Sequence, residues 1–382
     1  MVKLMRKICV VIANRAEYSR LKSVLKEITN NTSLELILIV TSSLLLEEYG
    51  KTIDSIKNDG FHVDAVARTV VSGGDLPAMV KSVGLCCLEL PTLYEFFKPD
   101  IIIVGFDRFD SFGAAIAASL MNIPLAHIQG GELTGTIDEN LRHAMTKLSH
   151  IHFPATQKSA ERIIRMGENP ERVFNVGCPS VDIIKSVVIG SKKELCNKYN
   201  LNPDQPFIIW IQHPVTTEFE FTHSQVIESL EAILELDIQT IGIYPNIDAG
   251  SKDIINEIEK IKANKKNKKI QFYHHIPFED FIILLAHSDC IVGNSSSGIR
   301  ESCYFGIPSV NIGTRQNRRE CGSNVITIGN NKEEIRNTIS KCLDHGRYKP
   351  EYIYGTGKAA EKIVKVLDEI DLEGIIHKEF FE

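Results

Sequence analysis

The sequence contains no CxxC pair, and its nine cysteines are an odd number set mostly in apolar or strand-like contexts. Those two facts argue against a zinc or disulfide framework and for reduced thiols. No apolar window has the length of a membrane span, which excludes a transmembrane reading. The apolar run in the opening MVKLMRKICVVIA is shorter than a signal-peptide core and leads straight into a polar turn, so it reads as a first strand. Positive charge is not in excess: 43 Lys and Arg stand against 49 Asp and Glu, a net −6, which argues against a nucleic-acid partner. The KKNKK cluster at 265–269 reads as a solvated loop. There is no internal repeat and no low-complexity segment. The glycine spacing of a dinucleotide fingerprint is missing, and no His/acid spacing matches a defined metal motif.

What is present is a chain of 382 residues with 43% hydrophobic and 24% charged residues. That length exceeds one ordinary core and predicts two domains. Apolar runs alternate with helical periodicities throughout. In the first half, strands are expected at 8–13, 34–40, 101–104, 124–128, 151–154 and 173–176, with Gly105-Phe106-Asp107-Arg108 as a turn. The first helix carries Leu21, Val24, Leu25 and Ile28 at i, i+3, i+4, i+7 spacing. The segment from 177 to about 203 reads as a boundary. A second alternation follows, with strands at 207–211, 240–244, 270–273, 290–292, 309–312 and 325–328. Strictly alternating strands and helices predict parallel sheets covered on both faces, in two doubly wound halves with a cleft between them.

Polar residues gather just past the strand ends, where open α/β sheets place ligands. After the first strand come Arg15 and Ser19. The stretch 101–148 adds Asp107 and Arg108, then Gln129 and Glu132, then a loop with Asp138, Glu139, Arg142 and His143. In the second half, Gln212-His213-Pro214 follows one strand, Gly293-Asn294-Ser295-Ser296-Ser297-Gly298 opens a helix after another, and Arg315 follows a third. Small residues and a helix N-terminus suit a diphosphate, and Ser295 and Ser296 can donate to its oxygens. Glu301 can accept from a ribose hydroxyl. Equally, Ser and Asn favour a plain N-cap there. Arginines with His213 at strand ends suit a doubly charged ligand such as a nucleoside diphosphate. Asp107, Glu132, Asp138 and Glu139 would repel it, and they make sense as acids and bases beside a neutral sugar. Alternatively, Asp138 and Glu139 are first-turn helix acids, with Asp138 pairing Arg142 at i,i+4.

Taken together, NRAEYSRL at 14–21, DRFD at 107–110, GGELTGTIDENLRHAMTKLSH at 130–150, QHPVTTE at 212–218, YPNIDAGSK at 244–252, GNSSSGIRE at 293–301 and GTRQ at 313–316 resemble the hydrolysing UDP-N-acetylglucosamine 2-epimerases of sialic acid biosynthesis. They are also similar to the epimerase half of the bifunctional animal enzyme. The resemblance runs in order along nearly the whole chain. It implies an α/β fold of GT-B type: two Rossmann-like domains, 1–180 and 181–366, with the active site between them and a C-terminal helix at about 367–382 packing back on the first domain.

The same resemblance implies that Arg15, Ser19, Arg108, Ser295, Ser296, Glu301 and Arg315 hold UDP, with Phe281 near the uracil and His213 serving the diphosphate. Arg142 and Asn294 join the binding candidates, and Asp107, Glu132, Asp138, His213 and Gln129 the catalytic ones. It also implies a cytoplasmic homodimer or homotetramer with a UDP-sugar substrate and a UDP product, and with no metal, cofactor, nucleic acid or membrane. The implied chemistry is an anti elimination through 2-acetamidoglucal, then hydration to N-acetylmannosamine. Two positions depart from the pattern. Many relatives have a glutamate at Gln129, so Glu132, Asp107 or Asp138 covers its role or the position has changed. Relatives also have Gly-Asp-Arg where this chain has Phe106-Asp107-Arg108. Alternatives are a hydrolysing 2-epimerase of UDP-N,N′-diacetylbacillosamine, a silent UDP-sugar binder, and a glycosyltransferase of the same fold.

Overall fold

The computed structural model describes residues 5–264 and 267–382, so residues 265 and 266 of the KKNKK cluster and the first four residues of the chain lie outside the described residues. Among the described residues, twelve strands form two sheets. The first holds β1 (Arg6–Ile12), β2 (Leu34–Thr41), β3 (Ala65–Ala67), β4 (Ile101–Gly105), β5 (Leu125–Ile128) and β6 (Ile151–Phe153), in the order β3-β2-β1-β4-β5-β6. In the second, β7 (Phe207–Ile211), β8 (Gln239–Ile243), β9 (Ile270–Tyr273), β10 (Cys290–Gly293), β11 (Ser309–Ile312) and β12 (Val325–Ile328) repeat the plan as β12-β11-β10-β7-β8-β9. Every paired neighbour is parallel. Runs such as Ile101–Gly105 and Phe207–Ile211 are buried along their whole length, because helices cover both faces of each sheet.

Short or edge elements escape the sequence pattern. β3 is three residues long, too brief to show a period. The expected strand at 173–176 reduces to one bridge, Val173 to His152, because its neighbour β6 is itself only three residues long. The boundary segment contains two helices, Pro179–Ser186 and Lys192–Lys198. Leu76–Phe97 is one helix that passes, by length and composition alone, the test for crossing a membrane, against the sequence expectation. Its Cys86, Leu90 and Tyr94 are buried in a core shared with β1 and β4. Gly113 of the helix Phe109–Leu120 lets the two helices touch, since a Cβ there would sit 2.5 Å from Cys86 Cβ.

The returning segment begins earlier than expected. It is the helix Ala359–Glu369, whose Ile363, Val364 and Leu367 enter the core of the first sheet with Ile8, Leu21 and Ile28. Residues 370–382 are not helical. There Lys378 Nζ caps the helix Ile137–Leu148 by donating to the carbonyls of Thr146 (3.1 Å) and Lys147 (2.6 Å). A small core of Ala155, Cys178, Val181, Ile299, Cys303 and Tyr354 joins the two halves beside the cleft.

Candidate active site

In both sheets the chain reverses direction of winding between the first and fourth strands, at β1/β4 and at β7/β10. The carboxyl ends of those four strands face one cleft. After β1, Asn14 caps the helix Arg15–Asn30 by accepting from Glu17 N (3.0 Å), which sets Arg15 and Ser19 on the cleft wall. Gly293 ends β10 at φ +124°, and a Cβ there would lie 2.0 Å from Ile211 O, so only glycine lets the serine loop fold in beside β7. Ser295 then caps the short turn that follows, accepting from Ser297 N.

Eleven of the expected residues line the cleft: Arg15, Ser19, Asp107, Arg108, Asp138, His213, Phe281, Ser295, Ser296, Glu301 and Arg315. Ile243, Ile276, Phe278 and Phe281 give the cleft an apolar patch suited to a planar base, and its lining also carries the arginines and acids. Glu301 is 1% exposed, and neither of its carboxylate oxygens has a hydrogen-bond partner among the described residues. A buried carboxylate without a donor is costly unless a ligand supplies one.

Four expected residues stand behind the wall. Arg142 is 1% exposed and forms a close ion pair with Asp107, while donating to Glu132 O (2.7 Å). Glu132 is buried between Arg300, to which it is closely paired, and Arg319 (3.1 Å). Gln129 sits at φ +64° and donates through Nε2 to Cys178 Sγ (2.7 Å). Asn294 accepts from His213 N (2.7 Å) and donates to His213 O (2.8 Å), so it fixes a neighbour's backbone. Asp138 through His143 belong to the helix Ile137–Leu148, capped by Thr136, and not to a loop. Asp138 and Arg142 do not pair along it: Asp138 lies 3.6 Å from Arg315 of the other half. Burial explains this, because Arg142 points into the first half while Asp138 faces the cleft.

Several cleft residues were not foreseen as site residues. Arg20, Arg300 and Arg319 line it, and Asp248 crosses from the second half to bind Arg108 Nη1 (2.9 Å). Arg20 and Arg300 stand inside segments that carry the resemblance, and Arg319 follows Gln316 by three residues in a turn; position in a motif was the only signal they offered. Arg20 Nη2 reaches across to Ser296 Oγ (2.6 Å).

The electrostatics separate the acids. Burial pushes the Asp107 carboxyl up, but Arg142 and then Arg319 outweigh it and hold it well below the ordinary carboxylate range. Glu132 is likewise held down by Arg300 and Arg319 against burial. Asp138 moves the other way. Burial and the nearby Asp107 raise it to about 6, despite Arg315. Burial, then Arg315 and Arg15, keep His213 well below the usual imidazole value, and its Nδ1 accepts from Asn246 N (3.2 Å). It is therefore neutral with its proton on Nε2, a hydrogen-bond donor. Among the described residues no group of three or more His, Cys, Asp or Glu is arranged to hold a metal ion.

Comparison with known proteins agrees with this layout. A family model described as UDP-N-acetylglucosamine 2-epimerase matches residues 26–368. The chain is 35% identical over 373 residues to the hydrolyzing UDP-N,N′-diacetylbacillosamine 2-epimerase of Legionella pneumophila, covering 98% of each protein. It is 31% identical over 368 residues to the UDP-N-acetylglucosamine 2-epimerase of Neisseria meningitidis serogroup B, covering 95% of each. Among solved structures it is similar to the UDP-GlcNAc 2-epimerase of Methanocaldococcus jannaschii in complex with UDP-GlcNAc and UDP, with a TM-score of 0.80 at 19% identity over 94% of this chain and 99% of the other. Two like-ordered parallel sheets around one cleft, matched from end to end by such relatives, lead to one assignment: the chain belongs to the UDP-N-acetylglucosamine 2-epimerase family.

Proposed function

We propose that this protein is a hydrolysing 2-epimerase that converts UDP-N-acetylglucosamine and water to N-acetylmannosamine and UDP. The observation that carries the reading is Glu301, a buried carboxylate with both oxygens unpartnered, in a cleft that also holds an apolar patch fit for uracil and a serine loop fit for a diphosphate. In this reading the ribose hydroxyls donate to Glu301. Asp138, raised to about 6, is ionised at neutral pH yet still basic, and takes the proton from C2 as the C1–O bond to UDP breaks. Asp107 is fixed in its charged form and aligns Arg142 and Arg319. The departing UDP takes the bonding electrons of C1–O, and the cleft arginines with the neutral Nε2–H of His213 stabilise that charge. Water then adds across the resulting double bond, its oxygen to C1 and a proton to C2 on the face that inverts the centre. Gln129, tied to Cys178 behind the wall, takes no part in proton transfer.

A second substrate is favoured by the Legionella relative, whose name specifies UDP-N,N′-diacetylbacillosamine and whose identity to this chain is higher than that of the Neisseria enzyme. That sugar differs at the far side of the ring, away from C1 and C2, so the same acids and arginines serve it. In the cell the product would feed the making of a sialic or legionaminic type of acid. The nine free thiols support a reducing, cytoplasmic setting. We further propose that the two sheets are two domains, the first completed by the helix Ala359–Glu369. We also propose that the protein self-associates through the outer face of the helix Leu76–Phe97, where Val80, Leu88 and Phe96 are more than 70% exposed.

The test is an NMR time course in D₂O with each UDP-sugar. The reading expects free UDP and a 2-epimerised free sugar deuterated at C2. Turnover of the diacetamido sugar alone would select the second substrate, and UDP binding without turnover of either would overturn the enzyme reading in favour of a silent binder.

A further inference from the structure

Phe106 stands between β4 and the cleft in an unusual conformation. Its φ is +71°, the left-handed region that favours glycine, yet its bulky ring is 3% exposed. The backbone is pinned on both sides: Phe106 N donates to Ile128 O (2.9 Å), and His127 Nε2 donates to Phe106 O (2.7 Å). The ring packs into the core of the first half, and the guanidinium of Arg20 lies over its face, 5.1 Å from the centroid. From there Arg20 reaches Ser296 Oγ on the serine loop of the other half. Arg20 thus has a flat aromatic seat on one side and the cleft on the other.

We infer that Phe106 is a positioning residue that acts through Arg20: its ring holds the Arg20 guanidinium against the serine loop, so that one more cation faces the diphosphate. The negative face of an aromatic ring attracts a guanidinium, most strongly where water is excluded. A long arginine free of such a seat would lose rotamer entropy on binding, and the seat removes that cost in advance. The seat also accounts for a bulky residue at a backbone position where glycine would be at ease, which core filling alone does not require. This inference rests on the reading that the serine loop receives the diphosphate of UDP.

The experiment measures UDP affinity by titration calorimetry, which needs no turnover. F106L keeps an apolar core but removes the ring face, and should weaken UDP binding about tenfold. F106Y restores the face and should bind within twofold of the parent. In an R20A background the further change F106L should add less than twofold, because the ring has then lost the group it positions. Should F106L fold poorly, site-specific trifluorophenylalanine at position 106 keeps the ring's shape, weakens its negative face, and should weaken UDP in the same direction. A folded F106L or fluorinated protein that binds UDP like the parent overturns the inference, as does a tenfold loss that persists without Arg20. A parent that binds UDP but turns over neither sugar sinks the enzyme reading while leaving this inference standing; a parent that does not bind UDP overturns both.

Discussion

Asp138 gives the sharpest test of how the cleft works. It faces the cleft at 3.6 Å from Arg315, and burial with the neighbouring Asp107 raises it to about 6. A base with that value is about 99% ionised at pH 8 and about 9% at pH 5, so kcat/KM should fall about tenfold between them along a single acid limb. Exchanging Asp138 for asparagine keeps the shape and removes the base. Turnover should drop by roughly 10²–10⁴, the usual worth of general base catalysis. UDP binding should not suffer. The change deletes a negative charge from the proposed diphosphate site and leaves Arg315 without its acid, so affinity should stay equal or tighten by a few-fold. The assay is UDP release coupled to a colour readout across pH 5–9, with calorimetry for UDP. An Asp138→Asn protein within about threefold of parent turnover, or a parent profile that falls as pH rises through about 6, would refute the assignment of Asp138 as the ionised base.

Other outcomes follow from the same geometry. Asp107→Asn should abolish turnover and leave UDP binding nearly intact, while costing about 3 kcal/mol of stability because Arg142, 1% exposed, loses its carboxylate; thermal unfolding with activity assays checks both. Burial pushes Glu168 up, but hydrogen bonds from His152, Lys147 and Lys378 outweigh it and hold it at about 2. Its folded value lies below the unfolded one, so its stabilisation is complete above the ordinary carboxylate range and is lost as pH falls toward about 2. Glu168→Gln should therefore lower the melting temperature at neutral pH and flatten its acid dependence. Leu88→Glu on the exposed face of the helix Leu76–Phe97 should leave the fold unchanged and convert an oligomer to monomer by light scattering; an unchanged mass would refute that face as the contact.

Much of the candidate site was legible because a parallel α/β sheet places its ligands beyond the carboxyl ends of its strands. Once the alternation of strands and helices is read, Arg15, Asp107, Arg108, His213, Ser295, Ser296 and Arg315 fall there by position alone, and all seven line the cleft. The strand boundaries at 207–211, 270–273, 309–312 and 325–328 agree residue for residue, since each is an apolar run bounded by polar turns. What local pattern does not carry is which way a side chain faces once an element is packed. Helical spacing offers Asp138 to Arg142, yet one turns to the cleft and the other inward to Asp107. Glu132 reads as a free acid, yet two arginines distant in sequence enclose it.

The sequence by itself determined the class of fold, the two halves, and the strand-end loops that line the cleft, because those depend on periodicities of two and 3.6 residues and on short-range turn chemistry. Only the tertiary structure decided the ionisation of the acids and the identity of their partners. Those depend on burial and on charges brought together from far along the chain: Arg300 to Glu132, Asp248 to Arg108, Arg315 to Asp138, and Arg20 to Phe106 and Ser296. The same holds for the returning helix Ala359–Glu369, whose apolar stripe is visible in the sequence but whose docking place is set by the core it shares with the helix Arg15–Asn30.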